Sequence, residues 1–504
     1  MKISEKHLVI VSNRLPIVLE KNNTTWQVRQ GSGGLVTALA PVLRNRGGLW
    51  IGWPGATDDD TGLDEPLRKA SRNIGYKLTP VILNQHEIDS YYQGFSNEII
   101  WPLFHDLQSH CNFDAEFWTC YQDVNKKFAR VIAENTKKND YIWVHDYHLM
   151  TVARELRRMK SGHRVGFFLH IPFPPPDIFL KLPWRSELLN ALLEFDLLGF
   201  QTLRDRRNFT QCVRTLFNDV TTQGKGQVIT VQSREKTIKV GSFPISIDYQ
   251  HFEEQTQTKE VADSAWYIHE NLSDRQIILG IDRLDYTKGI IERLRAFERA
   301  LVKYPVMQSK VSFIQIVVPS RVHIHEYQLL RTEIEQMVAN INGRFTKYAW
   351  VPIHYIFRSL DRYELLGYYR TAEIALITPL KDGMNLVAKE YCACSVEEKG
   401  VVILSEFAGA SAQMQKGAIM VNPYDVESVA DAIYTAFEMS RDERRVRMKK
   451  LRQSIKKYDI FWWVDSFLQA AFTEKLYSFP VLEDYDYLPQ VEISGQRQKN
   501  SVTT

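Results

Sequence analysis

IALITPLKDGMNLVAKEY, residues 374–391, reads as a strand that runs into a turn and out again into a helix. The run IALITP (374–379) is apolar without alternation, as a parallel strand covered on both faces must be. Pro379 ends it, Gly383 permits a tight turn, and NLVAKEY opens a helix. The first N–H groups of a helix have no partners inside it and carry the positive end of its dipole, so they suit a phosphate. Asp382 would project at the helix mouth, and Glu390 from a similar face about two turns on. A carboxylate at each place can accept sugar hydroxyls. Taken alone, the same letters also fit a helix with Asp382 near its N-cap.

Outward from this unit the pattern repeats. The apolar runs HLVIVSN (7–13), YIWVH (141–145), RVGFFLH (164–170), LLGFQT (197–202), IILGI (277–281), SFIQIVV (312–318) and VVILS (401–405) are strand candidates. Between them lie helical stretches such as SELLNALLEF (186–195), KGIIERLRAFERALVKY (288–304) and DRYELLGYYR (361–370). This βαβα rhythm predicts an α/β fold with parallel sheets. The length of 504 residues fits two such sheets better than one. The polar stretch DYQHFEEQTQTKEVADS (248–264) separates the two groups of strands. The expected plan is two Rossmann-like, doubly wound domains, 1–250 and 251–460, facing a central cleft where strand C-terminal ends converge. A helix within 461–480 is expected to pack back on the first domain, and 481–504 reads as a loose tail.

Composition narrows the classes. Apolar residues at 44% and charged residues at 24% are ordinary for a soluble globular protein. A net charge of +3 gives no global pull toward nucleic acid or membrane. The basic segment RDERRVRMKKLRQSIKK (441–457) reads as a solvated helix face. The cysteines Cys111, Cys120, Cys212, Cys392 and Cys394 are odd in number, and the one close pair has C-x-C spacing on a helix. Reduced thiols are expected, with neither a disulfide framework nor a metal site. The apolar run near the start is too short for a signal peptide, and nothing approaches a membrane helix. A cytoplasmic protein is expected.

Two further pairs of cations stand where such a fold presents ligands. Arg283 and Lys288 in DRLDYTKG straddle a strand end and a helix start, where they could neutralise a diphosphate or simply pair on the surface. Arg14 and Arg321 each follow a strand C-terminus and can face the cleft. The segment GSGGL (31–35) lies too far from the first strand, with the wrong spacing, for a nicotinamide-dinucleotide fingerprint.

DGMNLVAKEY (382–391) is similar to the acidic-x7-Glu signature of retaining, two-Rossmann-domain glycosyltransferases, and specifically to the trehalose-6-phosphate synthase family. VSNRLP (11–16), GSGGL, GGLWIGWPG (47–55), YYQGFSNEIIWPLFH (91–105), WVHDYHL (143–149), FFLHIPFP (167–174), LLGFQT, DRLDYTKG, INGRF (341–345) and SEFAGAS (405–411) agree in order. The resemblance covers residues 7 to about 475. It implies a GT-B fold and donor-phosphate roles for Arg283 and Lys288, with Gly33 and Gly34 near the donor. It implies donor-hexose contacts at Asp382, Gly383, Met384, Asn385, Leu386 and Val387, a ribose carboxylate at Glu390 and a base contact at Leu360. His170 matches a histidine beside the donor glucose, and Asp146 a residue that binds the acceptor glucose. Arg14, Tyr92, Trp101 and Arg321 match the pocket for the acceptor's phosphate.

The activity so implied is transfer of glucose, with retention, from a nucleotide-glucose to glucose 6-phosphate. UDP-glucose is the default co-substrate, and no cofactor or metal is required. Two other readings stand beside it: a sister synthase using glycerol 3-phosphate, and an inactive regulatory subunit. Lys381 stands where many relatives have Arg, and Ser246 replaces a usual Gly, which leaves the donor nucleotide open. Oligomeric state is open too. No phosphatase segment follows the transferase region, so a separate enzyme is expected to remove the phosphate.

Overall fold

The structure is a computed structural model describing residues 7–22, 25–31, 34–60, 62–233, 236–272, 275–321 and 324–473. Gly33 and the expected tail, 481–504, lie outside those residues, as do 474–480.

Two sheets organise the chain. The first has nine strands in the order Lys77–Pro80, Leu49–Trp53, Leu8–Arg14, Tyr141–His145, Arg164–Phe168, Leu197–Phe200, Lys236–Ser242, Val228–Ser233 and Val220–Gln223. Its first seven strands run parallel, and the last two are antiparallel additions at one edge. The second sheet is wholly parallel: Ile353–Phe357, Val311–Val318, Gln276–Arg283, Ile374–Ile377, Val401–Ser405 and Ile419–Val421. All eight apolar runs picked out of the sequence are strands. The central ones are buried along nearly their whole length, which is why they carry no polar face.

The helices between them start where side chains supply the missing acceptors. Thr202 and Asp205 form a capping box for Leu203–Leu216, and Asp361 accepts the Glu364 N–H at 2.9 Å to open Arg362–Thr371. The stretch 85–104 is helical too, but its middle, Ile88–Ile100, is wound as a π-helix.

The chain crosses from the first sheet to the second after Ser242 and returns at its C-terminal end. The helix Ile460–Phe472 lies on the first sheet, where Phe467 stacks on Trp143 at 4.3 Å and Trp463 packs edge-on to Phe168 at 5.0 Å. The Trp463 indole donates to the Phe243 carbonyl at 3.0 Å. Trp463 and Phe467 are fully buried, and replacing either by alanine would cost about 3–5 kcal/mol. This helix returns the chain from the second half to the first and packs there.

Candidate active site

Strand ends of the second sheet make the floor of the cleft. Arg283 is the last residue of its strand and is exposed. Among the described residues its guanidinium makes no ion pair; it lies 5.9 Å from the Trp101 ring. Lys288 closes the short turn Tyr286–Lys288, and its Nζ lies 2.6 Å from Asp382 Oδ2. Burial pushes the Asp382 carboxyl up, but Lys288, His105 and the Asn385 amide together hold it below its ordinary value. Asp382 is therefore an anion already partnered by the cation beside it.

Asn385, not Asp382, caps the helix Leu386–Cys394. Its backbone sits at φ 77°, its Oδ1 accepts the Ala388 N–H at 3.1 Å, and its Nδ2 donates to Asp382 Oδ2 at 3.2 Å. The N–H groups of Leu386 and Val387 have no acceptor among the described residues, so the helix mouth stays open to an anion. The structure also corrects the role of Gly383. It has no positive φ; a Cβ there would lie 2.0 Å from the His170 carbonyl oxygen. The requirement is for a close approach between the two halves rather than for a turn. Gly289 needs both freedoms: its φ is 62°, and a Cβ would meet the Thr378 carbonyl oxygen at 2.1 Å.

Beneath this floor Arg293 is fully buried. It bonds Asp282 at 2.6 Å, Thr378 Oγ1 at 3.0 Å, Gln315 at 3.2 Å and the Lys288 carbonyl at 3.3 Å, and so ties the Lys288 turn to two strands and to the residue that follows a third. Further along the helix, Glu390 accepts from the Tyr369 hydroxyl at 3.0 Å, and burial raises its pKa. Met384 is buried, while Leu360, Leu386 and Val387 pack half-buried on the same core.

The first sheet supplies the facing wall. Arg14 ends the first strand and lies over the Trp53 ring at 3.7 Å, with Tyr92 at 5.5 Å. Tyr92 stacks on His148 at 5.9 Å, and His148 meets Tyr147 at 4.0 Å. Trp101, at the end of the π-wound segment, lies 5.7 Å from Tyr147 and is covered by Arg321 at 4.3 Å. Arg321 crosses from the other half: it reaches the Tyr147 hydroxyl at 3.3 Å, bonds the Tyr327 hydroxyl, and lies 3.6 Å from Asp285. Burial raises the Asp285 carboxyl, but Arg321, Lys288 and Arg283 bring it below its ordinary value. Lys381 Nζ also bridges the halves, to Asp106.

Asp146 and His170 lie at the junction. Asp146 has φ 73° and ψ 166°, a region nearly closed to residues with side chains. Its Oδ1 accepts the His170 N–H at 3.3 Å. Burial pushes its pKa up to about 7, against the pull of Arg283 and Arg321. Arg321 (φ 49°) and Asn385 (φ 77°) share the left-handed region with it. Three non-glycine residues held this way, at about 1–3 kcal/mol each, lie in one cleft, where such strain ordinarily collects.

The structure thus brings Arg14, Tyr92, Trp101, Arg321, Arg283, Lys288 and Asp382 into one cleft, with Asp146, His170 and Gly383 at its seam. Gly34 begins the helix Gly34–Arg46, beside residues outside the described set. The sequence reading missed His145, Tyr147, Asp285, Arg293 and Tyr369 as members of the site. Three of them lay inside motifs already quoted, His145 and Tyr147 in WVHDYHL and Asp285 in DRLDYTKG. Among the described residues no cluster of three or more His, Cys, Asp or Glu could hold a metal ion. No described helix is long and apolar enough to cross a membrane.

Two Rossmann-like halves, one ending its strands in Arg283 and the Lys288–Asp382 pair and the other presenting a cationic aromatic pocket, follow the GT-B plan. The profile of glycosyltransferase family 20 matches residues 6–472, and the chain belongs to that family. It is 41% identical over 480 residues to trehalose-6-phosphate synthase of Mycobacterium leprae (strain TN), covering 93% of this chain and 96% of that one. Its structure is similar to that of an alpha,alpha-trehalose-phosphate synthase (UDP-forming) from Burkholderia xenovorans in complex with glucose-6-phosphate. The TM-score is 0.84 and the identity 35%, over 92% of this chain and 99% of that one. It is also similar to a structure described as "Trehalose-6-phosphate from E. coli bound with UDP-2-fluoro glucose", with TM-score 0.82 and 34% identity over 92% and 99% of the two chains.

Proposed function

We propose that this chain transfers glucose from UDP-glucose to glucose 6-phosphate with retention, giving α,α-trehalose 6-phosphate. The observation that carries the reading is the division of charge across the cleft. Arg283, Lys288 and an open helix mouth stand on one side; Arg14, Tyr92, Trp101 and Arg321 line the other. A donor diphosphate suits the first set and a sugar phosphate the second, because forked guanidinium donors match phosphate oxygens. The Burkholderia xenovorans relative in complex with glucose-6-phosphate, and the E. coli structure bound with UDP-2-fluoro glucose, support the same assignment.

In this reading Glu390 takes the ribose, Leu360 lies by the base, and Asp382 with the N–H groups of residues 383–387 takes the hexose. Asp146 takes the acceptor's hydroxyls. The acceptor attacks from the face the leaving group departs, and the departing phosphate oxygen receives its proton. Catalysis then rests on positioning and on stabilising the diphosphate. Since Lys288 is already held by Asp382, Arg283, which makes no ion pair among the described residues, is the freer of the two cations to meet that charge.

The test is turnover with UDP-, ADP- and GDP-glucose against glucose 6-phosphate and glycerol 3-phosphate, with product stereochemistry read by proton NMR. An α,α-linked disaccharide phosphate formed fastest from UDP-glucose and glucose 6-phosphate is expected. Faster transfer to glycerol 3-phosphate, or from another nucleotide, overturns that part of the reading. No transfer at all overturns the whole.

A further inference from the structure

Behind His170 lies a second imidazole that the scheme above does not use. His145 Nδ1 is 3.1 Å from His170 Nε2. His145 is fully buried, and its other ring nitrogen, Nε2, has no hydrogen-bond partner. Trp143 at 4.7 Å, Trp463 at 6.3 Å and Phe168 at 6.5 Å surround it. Trp463 comes from the C-terminal helix, so that helix seals the back of the site.

Burial pushes His170 down to about 3 and His145 well below its ordinary value, with His170 adding to the effect on His145. Burial thus favours the neutral form of both rings near neutral pH. Two neutral imidazoles in contact share one proton, and its owner sets the tautomer of both. If His170 were the donor, His145 would carry its proton on Nε2, a buried N–H with nothing to bond. Such orphaned N–H groups are rarer in folded proteins than under-used acceptors. If His145 donates from Nδ1, its bare Nε2 is merely an under-used acceptor, and His170 carries its proton on Nδ1. That nitrogen makes no hydrogen bond among the described residues. The residue is well anchored: its N–H is held by Asp146, and its carbonyl abuts Gly383 at the donor loop.

We propose that His145 is a positioning residue that fixes His170 as its Nδ1–H tautomer, so that His170 donates a hydrogen bond to an oxygen of the transferred hexose and does not act as a base. The inference rests on the glycosyl-transfer reading of the cleft, but the tautomer can be measured without it.

The full chain, labelled with [15N]histidine, is read by long-range 15N–1H NMR, with the His170 signals assigned by their loss in His170→Asn. The wild type is expected to show a protonated Nδ1 and an unprotonated Nε2 at His170 from pH 6 to 8. A His170 protonated on Nε2 overturns the proposal, whether or not any sugar is transferred. His145→Asn can put an amide N–H where Nδ1 lies, whereas His145→Leu cannot. The expected result is that His145→Leu mixes the His170 tautomers and lowers kcat about 10- to 100-fold, the usual scale for losing a partner that orients a functional imidazole, with KM for nucleotide-glucose little changed. His145→Asn is expected to restore both tautomer and rate to within about threefold of wild type. Equal impairment of the two variants, or an unchanged tautomer in His145→Leu, overturns the assignment. Should His145→Leu fail to fold, the wild-type spectrum and His145→Asn still decide.

Discussion

Replacing Gly383 with alanine would put a Cβ 2.0 Å from the His170 carbonyl oxygen, 3.0 Å from its carbon and 3.1 Å from Ile171 Cα. All three obstacles are backbone. Retreat into its own half is blocked, because Asp382 donates to the Phe407 carbonyl at 3.2 Å, Gly409 to Asp382 at 3.0 Å and Ala410 to Met384 at 2.8 Å. Gly409 itself presses so close that a Cβ there would lie 1.9 Å from the Gly383 oxygen. The remaining relief is to part the halves. Since Cβ contacts are essentially never shorter than 3.0 Å, the seam must open by about 1 Å, a misplacement that costs on the order of 100-fold in rate. Gly383→Ala should therefore lower kcat about 100-fold while leaving both sheets folded. Steady-state release of nucleoside diphosphate, alongside far-UV circular dichroism, measures the two effects. Turnover within threefold of wild type would refute the reasoning, because it would mean that the halves need not meet at Gly383.

Other outcomes follow from the same geometry. Arg283→Ala should lower turnover at least about 100-fold, the scale of one lost preorganised donor, while melting temperature barely moves; near-normal turnover would remove Arg283 from the mechanism. Glu390→Gln should reduce kcat/KM for nucleotide-glucose roughly 10- to 100-fold, and a 2′,3′-dideoxyribose donor should be penalised less by the variant than by the wild type. Equal penalties would detach Glu390 from the ribose. Stability should fall on acidification below about pH 6.5. His105, held near 4, and His148 and His170, held near 3, are all kept neutral by burial, so the unfolded chain binds more protons than the folded one in that window. Each such histidine costs about 2 kcal/mol by pH 5. Asp146, raised to about 7, works in the opposite sense and offsets about one of them. Urea titrations at pH 7 and pH 5 measure the balance, and greater stability at pH 5 would contradict it.

The central strands were readable because parallel strands buried on both faces leave unbroken apolar runs, as in IALI and LVIVSN. The last three strands toward one edge of the first sheet, Lys236–Ser242, Val228–Ser233 and Val220–Gln223, were not, since they mix exposed polar residues with short apolar stretches. The π-wound Ile88–Ile100 has no 3.6-residue stripe to betray it, although it sets Tyr92 and Trp101 against the cleft. At the site, Arg283, Lys288 and Asp382 stood out because strand ends and helix mouths have fixed places in such folds. Asp382 near the N-cap was one of two ways to read that turn, because Asp and Asn both cap helices, and it is the Ala388 N–H bonded to Asn385 Oδ1 that singles out Asn385. Arg293 and Tyr369 act across gaps of many residues, on Thr378 and Glu390, and no local pattern marks such pairings. Gly383 looked like a turn glycine, and its true constraint comes from a carbonyl in the other half.

Diffraction from crystals soaked with uridine diphosphate tests the grip on the leaving group most directly. The two phosphates should lie within about 3 Å of the Arg283 guanidinium and Lys288 Nζ, with Lys288 drawn off Asp382 and the ribose on Glu390. Phosphates bound on the opposite wall, or anywhere that leaves the Lys288–Asp382 pair closed and Arg283 without a ligand, would contradict it.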